Sequence, residues 1–475
     1  MNDKARDECK EPFYDSVRET IITLLSLVFL NAVSYVVIRQ YKRKRESEEL
    51  YTDEEGTMTY RISLWMCVFT LSISMGAVVL LPVSIVTEEI LSPYMHNDYI
   101  NWLNPVLIQS LWNQVFVCSN LCLFLLMPFA YFLTEAEGFS GWRKGIMSRV
   151  CETFVILLLL AICMAVLTQL GISFWSRQSP FTLLEHWSLY FEFLYSLISV
   201  VGVLLTLMCT PIGLTKMFSI VNNLLAKPQF LRDLDSEVHG ISLEIDNVRK
   251  RLEGVGGVGS NSSDDVAELT ARAEQLEYRK NDIYRQLSAS RWQKNVFYPL
   301  TMLFVLLLMG VTMFMVFVNV LRLIVVEGSL PVVATDVLLD QPQPTTVIGR
   351  VMSFVEVAVT LYLVAASLTG FYSAPLSTGL QPVLHRTSIL KIIANCVAVL
   401  MLSSAMPVVT RMLGLTRFDL VGYFGSFAWL GDLRVVLLYN LLFEIAMAVT
   451  LTQTVTKSIV NDLREAWTKV VVSKA

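Results

Sequence analysis

Charge is what this sequence is short of. Only 16% of its 475 residues are Asp, Glu, Lys or Arg, where soluble globular chains carry about 25%. That deficit, set beside 54% hydrophobic residues, excludes an ordinary water-soluble domain and points to lipid as the solvent. Histidine is scarce too: His96, His186, His239 and His385 are scattered without metal-ligand spacing. No G-x-S-x-G, no H-E-x-x-H and no Cys/His pairing of catalytic kind is present, so neither an enzyme nor a cofactor or metal reading has support. Of eight cysteines, Cys67, Cys118, Cys122, Cys163, Cys209 and Cys396 lie within apolar runs and Cys151 borders one, leaving only Cys9 in a polar segment. A disulfide framework is excluded on that pattern. Basic tracts are confined to one juxtamembrane cluster, Arg39 to Arg45, which argues against nucleic acid as a partner.

What the sequence does have is long apolar runs. Nine are near the ~20 residues that cross a bilayer: 21–38, 62–86, 115–133, 154–174, 189–209, 296–318, 351–368, 392–409 and 435–451. The expected fold class is therefore all-α, a polytopic helical membrane protein of about nine spans. Trp102 and Trp112 ahead of the third run, and Trp175 and Trp187 around the loop after the fourth, read as interface anchors. About twenty mostly polar residues precede the first run and no small-residue cleavage site follows it, so the first span is expected to stay as an uncleaved anchor. Gly422 to Gly431, rich in Gly and aromatics, is read as a loop or a re-entrant segment.

Lys and Arg set the orientation. With nine spans, one side of the membrane holds 27 of the 37 basic residues, 12 of them in the stretch between the fifth and sixth spans. That side is expected to be the cytosol and the N-terminus to lie outside. The regions are then an outer tail, 1–16; a membrane region with spans one to five, 17–214; a cytosolic segment, 215–295; a membrane region with spans six to nine, 296–456; and a cytosolic tail, 457–475.

The cytosolic segment differs from everything around it. Leu231, Leu234, Val238, Ile241, Ile245, Val248 and Leu252 step by three and four, a heptad seam. Val266, Leu269, Ala273, Leu276, Ile283 and Leu287 continue in the same register after a Gly- and Ser-rich break at 254–263, with Lys280 at one polar seam position. Asp265 and Glu268 give the second arm a capping-box start. Equal arms and a short connection predict an antiparallel coiled-coil hairpin, against the alternative of an intermolecular coiled coil. Gly254 to Gly259 matches G-x-G-x-x-G, but no strand precedes it and no βαβ unit surrounds it. Tyr284-Arg285-Gln286-Leu287 has the form of a tyrosine sorting signal, yet Leu287 is needed in the seam.

Three carboxylates lie inside apolar runs: Glu192, Glu356 and Glu444. Each costs about 2.5–3.5 kcal/mol at a helix centre on insertion scales, so none should face lipid. They form the candidate intramembrane polar site, lining a cavity in a functional reading. In a packing reading they knit helices together through partners such as Asn319, Asn395 or Asn440. Pro82, Pro128 and Pro299 mark expected kinks.

The strings Trp102-Leu103-Asn104, Leu111-Trp112-Asn113 and Ser119-Asn120-Leu121 run into Leu126-Met127-Pro128-Phe129-Ala130-Tyr131-Phe132-Leu133-Thr134-Glu135 and Glu137-Gly138-Phe139. Further along come Thr210-Pro211-Ile212-Gly213-Leu214, Gly370-Phe371-Tyr372-Ser373 and Leu413-Gly414-Leu415-Thr416-Arg417-Phe418-Asp419-Leu420. In this order they resemble the limb-region-1-like family, whose best-known branch is the lipocalin-interacting membrane receptor. The resemblance implies a nine-span plasma-membrane protein with a cytosolic coiled-coil loop, with endoplasmic-reticulum or endosomal membranes as alternative locations. It implies receptor-mediated endocytosis of a lipocalin-type ligand, or signalling through cytosolic or endoplasmic-reticulum partners, and it carries over no catalytic or ligand-binding residue. The outer segments are short, so several would have to combine to present the ~800 Å² that a standard interface takes from each partner. The expectation is a membrane receptor or scaffold whose hairpin recruits partners. A transporter or lipid-handling protein using the intramembrane carboxylates is the alternative.

Overall fold

A hydrocarbon solvent offers the backbone no hydrogen bonds, so apolar runs of this length must satisfy their own amides, and the helix does so within one segment. The computed structural model describes residues 2–42, 54–87, 105–136, 146–176, 187–224, 234–256, 272–273, 276–277, 280, 296–326, 347–383, 386–416 and 433–472. Among them are α1 (Asn2–Tyr41), α2 (Glu54–Ile85), α3 (Pro105–Leu121), α4 (Met127–Glu135), α5 (Ile146–Ser176), α6 (Trp187–Leu224), α7 (Leu234–Gly256), α8 (Tyr298–Val326), α9 (Val347–Ser373), α10 (Ile389–Met412) and α11 (Leu433–Val472). The described residues contain no β-strand, only an isolated bridge between Lys42 and Thr387. Nine segments among them are long and apolar enough to cross a membrane: Thr20–Tyr41, Thr57–Ile85, Leu107–Glu135, Met147–Leu167, Ser199–Val221, Pro299–Ile324, Val351–Ser373, Ile389–Met412 and Leu433–Gln453. The all-helical, nine-span expectation holds.

The chain separates into two compact units, Met1–Leu214 with Val311–Ala475, and Thr215–Gly310, with the divisions falling within α6 and α8. In the first unit α2 is the hub. It packs most extensively on α10 and α1, and also on α3, α4 and α9. The α10 span is 61% buried by protein and the α5 span only 11%, so α10 is central and α5 faces outward with Phe154, Leu158 and Leu159 exposed. Hydroxyls in these spans turn back on their own helices: Thr70 donates to the Met66 carbonyl at 2.9 Å, Ser74 to Thr70 at 3.0 Å, and Thr206 to Gly202 at 2.8 Å. That is how so many Ser and Thr are buried at little cost.

Between α3 and α4 the third span carries a π-helical turn, Cys122–Leu126. Pro128 follows directly after that turn within one unbroken helical run, and a π turn is one of the ways a helix takes up a proline. The extra residue in that turn sets Met127, Ala130 and Leu133 into the core, at 2%, 0% and 0% exposure. Pro299 is the second residue of α8. Pro82, Pro211 and Pro407 lie inside their helices.

In the second unit Ile241, Ile245 and Val248 of α7 are buried together with Leu276, and Ala273 packs against them. Arg272 pairs with Glu244 at 3.4 Å. Leu234, Val238 and Leu252 lie on the α7 backbone, but their side chains are outside the described residues, as are Leu231, Val266, Leu269, Ile283 and Leu287 altogether.

Several helices run on beyond their apolar runs. The 1–16 segment is helical from Asn2 and continuous with the first span, and α11 runs on through 457–472. A long apolar span is already nucleated, so adding turns to its end is cheap. The fifth span runs Ser199–Val221 rather than ending at Cys209, because the helix continues through Pro211 into further apolar sequence. Trp112 is no interface anchor: it is 3% exposed and its Nε1 donates to Ser84 Oγ at 2.9 Å, tying α3 to α2. Trp102, Trp175's side chain and the 422–431 segment lie outside what the structure describes.

Candidate functional site

Where a membrane helix must approach another closely, the sequence needs residues without bulk. Cys209 and Gly213 on α6 meet Ala366 and Gly370 on α9 in such a crossing. A Cβ added to Gly213 would overlap the Ala366 carbonyl and sit 2.9 Å from the Gly370 nitrogen, and one added to Gly370 would overlap the Cys209 carbonyl. Beside this contact Thr210 and Ser367 share a hydrogen bond of 2.7 Å. Both residues are 0% exposed. Nearer the start of the same span, Gly202 of α6 packs on α10, where an added Cβ would stand 2.7 Å from Ala405 Cβ. Thr450 Oγ1 of α11 lies 3.5 Å from the Pro211 carbonyl.

A second polar contact forms where α10 ends. Gly414 has φ +69°, the left-handed conformation that glycine adopts without penalty. The Leu415 N–H then reaches back to the Thr410 carbonyl at 2.9 Å. The Met412 carbonyl, left over at the helix end, accepts from Asn440 Nδ2 of α11 at 2.8 Å and from Asn319 Nδ2 of α8 at 3.2 Å. An added Cβ at Gly414 would run into the Asn319 carboxamide. Three spans are thus joined by one buried amide, Asn440, one half-buried amide, Asn319, and one carbonyl.

The third contact joins the link between α9 and α10 to the end of α1. After α9 a 3₁₀ turn, Pro375–Leu380, is held by Gln381 Nε2 donating to the Tyr372 carbonyl at 2.7 Å and Asn395 Nδ2 to the Leu380 carbonyl at 2.7 Å. The Thr387 N–H donates to the Tyr41 carbonyl at the end of α1 at 3.2 Å. Lys42 lies over the Tyr60 ring at 5.8 Å.

The candidate carboxylates stand apart from these contacts. Glu356 is 5% exposed on α9, near the start of its span. Glu444 is half-buried in the middle of the α11 span, and its Oε1 has no hydrogen-bond partner among the described residues. Glu192 lies on α6, and its side chain is outside the described residues. No described bond brings the carboxylates together. The asparagines expected as their partners are used elsewhere, Asn319 and Asn440 on Met412 and Asn395 on Leu380. A helix-end carbonyl is a fixed acceptor already in place, whereas a carboxylate would first have to be desolvated as a charge. Among the described residues, no group of three or more His, Cys, Asp or Glu could hold a metal ion.

The crossings at Gly213/Gly370 and at Gly414 fall in three of the strings that carry the family resemblance. Sequence reasoning had those strings but gave them no structural role. Glycine opposite glycine on separate spans was the signal within them.

Comparison with known proteins follows the same lines. The model of the family described as LMBR1-like membrane protein matches residues 19–288 and 258–455. The limb region 1 protein of Mus musculus is 40% identical over 459 residues, covering 96% of this chain and 92% of its own. The human limb region 1 protein homolog is also 40% identical over 459 residues, covering 96% and 92%. The protein LMBR1L of Xenopus laevis is 42% identical over 457 residues, 96% of this chain and 94% of that one. No solved structure matches the chain.

Proposed function

Because the chain belongs to the LMBR1-like membrane protein family, we propose that it is a multi-span receptor and scaffold, whose membrane helices form a fixed platform and whose 215–295 segment recruits partners. The observation that carries this reading is the separation of Thr215–Gly310 as its own unit. In it α7 buries a narrow apolar seam and leaves charged residues outward: Ile241, Ile245 and Val248 pack on Leu276 and Ala273, and Arg272 bridges to Glu244. A seam so narrow is what a two-helix hairpin has, with the remaining faces open to a partner. On the distribution of Lys and Arg this segment faces the cytosol and the N-terminus lies outside. The plasma membrane, with internal membranes on an endocytic route, is where such a receptor would work.

The direct test replaces Ile241, Val248 and Leu276 with Ser. Each loses a buried aliphatic side chain, about 1.5–3 kcal/mol apiece on transfer, more than a hairpin of this size can spare. Recruitment of cytosolic partners should be lost at unchanged membrane level. Full recruitment with the seam demonstrably unfolded would refute the hairpin as the docking element.

A lipocalin-type protein is the proposed ligand, on the family resemblance. A second reading rests on Glu444, since an unsatisfied carboxylate oxygen in mid-span is what a transport path would display. If that reading holds, Glu444→Gln alters flux in proteoliposomes without altering the amount of protein. Equal flux for both forms removes Glu444 from any transport role.

A further inference from the structure

The first three spans do not close completely on one another. Between α1, α2 and α3 lies a cavity of about 310 Å³, walled by Ile22 to Leu30, Ser72 to Val83 and Leu107 to Cys118. These stretches are the start of the first span, the end of the second and the start of the third, so the cavity lies wholly within one half of the membrane. The helices are tied together around it: toward mid-membrane Ser34 Oγ of α1 lies 3.6 Å from Met75 Sδ of α2, and toward the membrane edge Trp112 of α3 donates to Ser84 of α2. Small residues stand on its walls where large ones would fill the space: Ser26 on α1, and Ser72 and Gly76 on α2. A Cβ added at Gly76 meets only Leu30 Cδ1, at 3.4 Å, so the glycine is not demanded by a close helix contact.

Interiors pack with few voids larger than a water, and an empty apolar space forfeits the dispersion contacts of its whole lining. The volume is at the small end of the range for small-molecule pockets, about 300–1,000 Å³. That is too little for a two-chain phospholipid and suited to a single hydrocarbon body. No charged residue is among the described lining residues, so neither a phosphate nor a carboxylate head finds a counter-charge. The hydroxyls of Ser26 and Ser72 are already spent on the carbonyls of Thr23 and Phe69, at 2.8 and 2.7 Å. Gln114 is the one carboxamide on the wall and is exposed at the lipid-facing side.

We propose that this cavity is a binding site for one uncharged, single-body lipid with a small hydroxyl head, the chemical class to which sterols belong. The hydrocarbon fills the space between Ile73, Leu27 and Leu107, and the hydroxyl is met by the Gln114 carboxamide. The proposal is independent of the receptor reading, since it needs neither the hairpin nor a protein ligand.

The test uses the full chain in nanodiscs with a photoreactive cholesterol, mapping the labelled peptides. Label should fall within 22–30, 72–83 and 107–118, and unlabelled cholesterol should compete it away. Gly76→Leu, which fills the space from a position with room for a side chain, should abolish that labelling. Leu159→Phe on the lipid-facing side of α5 should leave it unchanged. Gln114→Leu is exposed and does not threaten folding. It should weaken competition by cholesterol about fivefold, the worth of one neutral hydrogen bond, and leave competition by cholestane, which lacks the hydroxyl, where it was. Label spread evenly over α5 and α8 would overturn the proposal. So would equal competition by phosphatidylcholine, which would make the occupant an annular acyl chain, or labelling of Gly76→Leu at the wild-type level.

Discussion

At the scale of single residues, the membrane part depends more on absent side chains than on present ones. Gly213 and Gly370 allow two backbones to meet where any Cβ would overlap a carbonyl. A backbone cannot swing away as a side-chain tip can, so Gly370→Leu should destabilise at or beyond the upper end of the ~1–3 kcal/mol typical of overpacking. Asn440→Ala removes a buried amide that bonds Met412 across helices. Interhelical hydrogen bonds in membranes average only about 0.6 kcal/mol, because the unfolded chain finds other partners in the bilayer. Thermal unfolding in detergent should therefore rank wild type, Asn440→Ala and Gly370→Leu in falling order. If Asn440→Ala proved the more damaging, polar knitting rather than close approach would hold the spans together. These roles were only partly legible in the sequence. The strings containing Gly213, Gly370 and Gly414 were recognisable, but which glycine faced which depends on a helix pairing that periodicity along one helix cannot reveal. The carboxylates were found at once because charge in an apolar run is conspicuous. Their neighbours were not, since the asparagines nearest in type turned out to cap a helix end.

Among the elements, the third span shows how one residue re-aims a helix. The π turn at Cys122–Leu126 places one more residue in the ladder than an α-helix would, and Met127, Ala130 and Leu133 face the core as a result. Deleting Leu125, which is 43% exposed and contributes little packing itself, removes the one residue that the turn takes up, so regular winding at about 100° per residue should keep those three side chains on the core face. The expected outcome is a monodisperse peak in size-exclusion chromatography for the deletion as for Leu125→Ala. Loss of the peak with the deletion alone would mean that the turn does not simply absorb one residue. Apolar runs told where most of the spans are to within about six residues, although the third and fourth begin earlier, at Leu107 and Met147, and the fifth runs on past its expected end. There Pro211 looked like an end. A proline in lipid does not stop a helix when neighbouring spans hold it on both sides, as Gly213 against α9 and Thr450 beside Pro211 do here. The ordered 3₁₀ link between α9 and α10 had no sequence signal beyond its proline, because its hydrogen bonds go to partners as distant as Tyr41.

For the whole molecule, the balance is between a closely packed membrane platform and a separate helical unit. The platform has α2 and α10 at its centre and α5 at its lipid-facing edge, and the family to which the chain belongs is one of multi-span membrane proteins. On the proposed receptor reading, such a platform would join an outer ligand to a cytosolic hairpin and do two separable things: bind, and then recruit what internalises it. The deciding measurement is uptake of a fluorescent lipocalin by cells with no chain, with the wild-type chain, and with Ile241, Val248 and Leu276 replaced by Ser, all at matched surface level. Saturable uptake with the wild type is expected, together with a seam variant that still binds at the surface but does not internalise. Uptake no greater with the wild-type chain at the surface than without it would contradict the receptor account.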